Sequence, residues 1–153
     1  MIVVSDTSPI TALLTVGQIE LLPQLFGEVV IPPAVKAELL RTHSVLPGWL
    51  RVQSLRDDAK AGIYAQSVDR GEAEAIVLAE ELHADRLLID ERKGRRLAQQ
   101  QGVPVVGLLG IILMAKTARL IPSARMLLSR LDEEAGIYLT DDLKDAALKT
   151  VGE

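Results

Sequence analysis

Twice in this chain an apolar run ends in an aspartate that stands directly before a helix-like segment: Ile2-Val3-Val4-Ser5-Asp6 and Leu87-Leu88-Ile89-Asp90. Short β-branched and aliphatic runs read as buried strands, while Thr7 and Ser8 suit an N-cap and Pro9 suits the first helical turn. Strands that alternate with helices imply a parallel sheet covered on both faces. An acid at such a junction then sits at the C-terminal edge of the sheet, where open α/β sheets bind ligands. The plain alternative for Asp6 is that it only caps the helix. The recurrence of the pattern at Asp90 weighs against that.

The rest of the chain supports the same architecture. Ile10 to Val16 reads as a short helix stopped by Gly17, Val29-Val30-Ile31 as a strand closed by Pro32-Pro33, and Ala34 to Arg41 as a second short helix. Leu50 to Leu55 alternates apolar and polar residues like an extended edge segment. Gly71 opens a strong helix to about His83, with Ala75, Leu78, Ala79 and Leu82 at helical spacing. A helix from Glu91 to Gln101, a strand at Val103 to Val106 and helices at Gly107 to Ala118, Pro122 to Glu134 and Asp141 to Lys149 follow. With 153 residues and no linker or repeat, a single domain over residues 1–153 is expected. Strand order cannot be read from one sequence.

Composition narrows the chemistry. Hydrophobic residues make up 48%, yet there is only one Phe, one Trp and two Tyr, so the core must be aliphatic. No cysteine is present, which excludes disulfides, thiolate zinc sites and a cysteine nucleophile and points to a reducing cytoplasm. Asp6 and Pro9 interrupt the only candidate for a targeting segment, and the longest apolar stretch, Val103 to Ala115, is too short to span a bilayer. No membrane association is expected. The net charge of -4 disfavours a plain phosphate-binding surface, but four clustered carboxylates would account for it and bound cations would offset it.

Those carboxylates are Asp6, Glu38, Glu74 and Asp90. Clustered acids repel one another unless cations are present, and hard oxygen donors of this kind suit Mg²⁺ or Mn²⁺. Such an ion can activate and orient a water and stabilise charge on a phosphate under in-line attack. Glu72 complicates the choice of third acid. Residues two apart on a helix point roughly 200° apart, so one of Glu72 and Glu74 should face away; Glu74 is the preferred one, and helix-dipole stabilisation is the structural explanation for either.

These residues together resemble the PIN-domain family, which includes VapC-like toxin ribonucleases, and more narrowly an uncharacterised prokaryotic PIN-like branch. Val4-Ser5-Asp6-Thr7-Ser8-Pro9 is similar to the family's first acidic motif, and Ile31-Pro32-Pro33-Ala34-Val35-Lys36-Ala37-Glu38-Leu39 to its second. Gly71-Glu72-Ala73-Glu74-Ala75-Ile76 resembles the third, and Leu88-Ile89-Asp90-Glu91 the fourth, with Leu88 where relatives usually carry Thr. That change keeps the acid and removes a hydroxyl that could orient it. The resemblance implies a three-layer α/β/α sandwich around a mainly parallel sheet. It also implies Asp6, Glu38, Glu74 and Asp90 as catalytic and metal-binding acids around Mg²⁺ or Mn²⁺, with Glu91 as an outer participant. An RNA substrate, a small antitoxin and a homodimer are the partners it implies.

Weaker features complete the reading. Arg92, Arg95 and Arg96 share a helix face and could hold phosphates beside the acids, or simply form a solvated surface. Thr7 and Ser8 could hydrogen-bond a metal ligand, though capping explains them equally. The leading function is a metal-dependent ribonuclease acting as a toxin; the alternative is a catalytically weak PIN-like protein that binds RNA or a partner. An aspartyl-nucleophile phosphatase is disfavoured, because Ser8 stands where a second Asp would serve as acid/base.

Overall fold

A computed structural model describes residues 1–153. Strand β1 (Val3–Ser5) leads into α1 (Thr7–Thr15), then α2 (Leu21–Phe26), β2 (Val29–Ile31) and α3 (Pro33–Leu40). Next come β3 (Leu50–Val52), α4 (Asp58–Tyr64), α5 (Arg70–Glu81), β4 (Arg86–Leu88) and α6 (Arg92–Gln100). The chain ends with β5 (Val105–Val106), α7 (Leu108–Thr117), α8 (Ala124–Ala135) and α9 (Asp141–Lys149). The five strands form one sheet, every pair parallel, in the order β3-β2-β1-β4-β5.

Strand alternation explains the layers. Val3, Val29, Ile31 and Leu88 turn to one face and join α1, α2, α3, α7 and α8 in one aliphatic core. Val4, Val30, Leu87 and Ile89 turn to the other and join α4, α5 and α6 in a second. Successive side chains of a strand point to opposite faces, so a run apolar at every position must be buried on both. The result is the expected α/β/α arrangement, with a sheet that is wholly parallel rather than mainly so. No helix is long and apolar enough to cross a membrane.

Two helices have no counterpart in the pattern reading. The α2 helix is only six residues long and carries Pro23, and α4 is seven residues opened by Asp57, whose carboxylate accepts from Lys60 N–H. Neither is long enough to show a helical apolar stripe. The segment read as a possible edge at Leu50 to Leu55 does form the outer strand β3, but only its first three residues pair.

The long helix α5 begins one residue earlier than its glycine suggests. Asp69 is its N-cap, accepting from Glu72 N–H, while the Glu72 side chain reaches back to Asp69 N–H, a reciprocal capping box. Every residue from Gly71 to Ala79 is buried. This helix packs against the centre of the sheet and against α3, α4 and α6.

Candidate active site

Asp6 follows β1 at the N-cap position of α1 and is almost fully buried, at 4% exposure. Its side chain makes no capping hydrogen bond, so the simple capping explanation does not hold. Burial pushes its carboxyl up to about 7; the Thr7 N–H opposes this, and repulsion from Asp69, Glu38 and Asp90 adds to it. Those three acids therefore come from three further elements to one place at the C-terminal edge of the sheet.

Each is held differently. Glu38, on α3, accepts a 2.6 Å hydrogen bond from Thr7 Oγ1, so Thr7 orients an acid while Ser8 lies exposed beside it. The other Glu38 oxygen rests against Gly71, where a Cβ would collide with it. Asp90 accepts from Leu108 N–H at 2.7 Å, at the start of α7. That backbone donor orients the acid, while Leu88 two residues earlier is buried in the core. Burial raises the Asp90 carboxyl, with the Leu108 N–H and the Arg95 guanidinium acting in the opposite sense. Arg95 and Asp90 both lie against Gly107.

The structure holds the two candidates for the third acid, Glu74 and Glu72, differently. Glu74 is committed elsewhere: it accepts from Ala34 N–H at 3.0 Å and pairs with Arg70 Nε at 2.8 Å, tying α5 to the start of α3. Glu72 is the acid with an open oxygen: Oε1 accepts from Asp69 N–H, while Oε2 faces Gly94 of α6. It is 4% exposed, its Oε2 has no hydrogen-bond partner, and burial together with its contacts to Asp69 and repulsion from Asp6 pushes it up to about 8. A Cβ on Gly94 would stand 2.5 Å from that oxygen, so glycine there is what lets α6 close over Glu72. Glu38, Asp69 and Asp90 thus act on Asp6, and Asp6 on Glu72, while Glu74 ties α5 to α3. Glu91 is exposed at the N-cap of α6 and does not cap it.

Asp69 was not singled out from sequence. Its signal was present, an Asp three residues before Glu72, which is the spacing of a capping box. Gly71 and Gly94 were likewise legible only as helix residues. Gly71→Ala is expected to fold, since the atom it meets is the movable end of Glu38, but to displace that carboxylate. Thermal melts within a few degrees of wild type, with cleavage reduced roughly tenfold or more, are the expected results.

The remaining sequence candidates line a groove of about 1110 Å³ that opens beside Asp90, between α6, β5 and the helices α7 to α9. Arg92, Arg95 and Arg96 all border it. They are therefore gathered beside the acids rather than scattered over a helix surface.

A family model described as a PIN domain (DUF3368) matches residues 2–153. The chain belongs to the PIN domain family. No curated protein matches it in sequence. The all-parallel order β3-β2-β1-β4-β5 is PIN-like.

Proposed function

We propose that this PIN domain protein is a metal-dependent endoribonuclease, acting as the toxin of a pair whose small antitoxin holds it inactive. The observation that carries the reading is Asp6: a buried carboxyl, raised to about 7, surrounded by acids from α3, α5 and the end of β4. An arrangement that crowds like charges costs stability and is retained where it serves chemistry. PIN domains are typically nucleases.

The donor set fits a hard divalent ion. All donors are carboxylate oxygens, Glu72 Oε2 is buried without a partner, and Gly71 and Gly94 leave room for Glu38 and Glu72 to face inward. As the side chains lie, no three of them form a direct ligand set. Asp6, Glu38, Glu72 and Asp90 would hold Mg²⁺ or Mn²⁺. The chemistry such an ion supplies when bound is a water of lowered pKa and neutralisation of charge on the phosphate. The chain's own part is positioning. Thr7 fixes Glu38, Leu108 N–H fixes Asp90, and Arg95 places a cation where an RNA phosphate would approach.

Purified protein is expected to cleave single-stranded RNA with Mg²⁺ or Mn²⁺ and to stop in EDTA. Undiminished cleavage in EDTA overturns the proposal. One observation favours the alternative of an RNA- or partner-binding protein with weak catalysis: the lack of a converged three-carboxylate set. RNA retention without turnover in Mn²⁺ would select it.

A further inference from the structure

The groove beside Asp90 is more than an approach to the acids. Its floor is the edge of the sheet: β5 pairs with β4 alone. Leu87 N–H donates to Pro104 C=O and Ile89 N–H to Val106 C=O, so those carbonyls point toward β4. Backbone groups alternate sides along a strand, which leaves the N–H and C=O of Val105 directed into the groove. Around that edge Leu109, Leu113, Met114, Leu131 and Leu139 form an aliphatic wall with no aromatic side chain among the lining residues. Arg86, Arg92, Arg95 and Arg96 border it, and none of the four forms an ion pair, in a chain whose net charge is -4. Arg86 Nε is buried without a hydrogen-bond partner.

We infer that this groove binds an extended acidic peptide segment of a partner protein, which lies along β5 as an added strand with aliphatic side chains on the wall and carboxylates on the arginines. An unpaired strand edge offers main-chain hydrogen bonds, and alternating pockets select side chains two apart. Arg86, Arg92 and Arg96 supply the charge complementarity, with Arg95 nearer Asp90. Away from Arg95 and Asp90 RNA is the less suited occupant, because single strands are held by stacking on aromatic rings as well as by cations, and the groove has no such ring. A bound peptide would cover Asp90 from the groove side. The inference stands independently of the nuclease reading, since occupancy is measured without RNA turnover.

The test is calorimetric titration of the full chain with a capped decapeptide of alternating Glu and Val, against a Lys-Val peptide of equal length. Saturable one-to-one binding of the acidic peptide alone is expected, weakened about tenfold in the double variant Arg92→Ser, Arg96→Ser. Val105→Pro removes the outward N–H without touching the bonds to β4, and it should weaken binding as well. Amide shift changes in the wild-type protein confined to Val105 through Leu109 would support the site even if a variant fails to fold. Binding of both peptides alike, or of neither, overturns the inference. Binding unaffected by Val105→Pro in a folded variant overturns the strand mode. An oligouridylate decamer that binds and is lost in the arginine variant, where the acidic peptide does not bind, would assign the groove to RNA.

Discussion

Asp6→Asn and Glu72→Gln are each expected to lower Mn²⁺-dependent RNA cleavage by about two to four orders of magnitude, while Glu74→Gln keeps most of it. The first two face the same crowded edge, and each removes a charge that a bound cation and the reacting phosphate would use. Glu74 has both oxygens engaged, one by Ala34 N–H and one by Arg70. Its replacement weakens a strut between α5 and α3 and should appear as lost stability of about 1–3 kcal/mol, discounted for the half-exposed Arg70. Single-turnover cleavage across a Mn²⁺ titration, with a urea melt of each variant, separates the two roles. A dead Glu74→Gln beside an active Glu72→Gln would return the third acid to Glu74.

The second large effect is on stability as a function of pH. Asp6 and Glu72 stand at about 7 and about 8, well above an unfolded carboxyl near 4. Between those limits the native state binds more protons than the unfolded chain, so stability falls as pH rises. The contribution is complete below about pH 4 and is lost as pH passes through 7 and 8. Metal-free protein should therefore melt roughly 5–10 °C lower at pH 8.5 than at pH 5.5, equivalent to a few kcal/mol for a chain of this size. Mn²⁺ should restore much of that loss at pH 8.5, because it binds the folded acids and not the unfolded chain. Asp6→Asn should flatten the metal-free profile, with no penalty for a lost cap, since the side chain makes none. A melting temperature that rises with pH in EDTA would show that these carboxyls are not held protonated by their surroundings.

Much of the frame was local information. Strands two or three residues long, apolar at nearly every position, announce burial on both faces, and an Asp at the end of β1 or just past β4 is placed at the sheet edge by that alone. Helix α9 coincides with its expected span, from its Thr140 cap onward. The lack of cysteine and the aliphatic core were matters of counting. The missed helices α2 and α4 are too short for periodicity to register.

What only the tertiary structure decided is non-local. The order β3-β2-β1-β4-β5 depends on which strands meet across long separations, and no residue encodes its neighbour. The choice between Glu72 and Glu74 turns on the rotation of α5, and the pitch argument says only that the two diverge. An amphipathic helix declares its buried face by its polar stripe; α5 is buried at every position from Gly71 to Ala79, so it has no stripe to read. Its rotation is set by what surrounds it: Ala34 N–H and Arg70 take Glu74, and Gly94 makes room for Glu72 beside Asp6. Sequence could place two acids on that helix, but only the packing around it determines which of them meets Asp6.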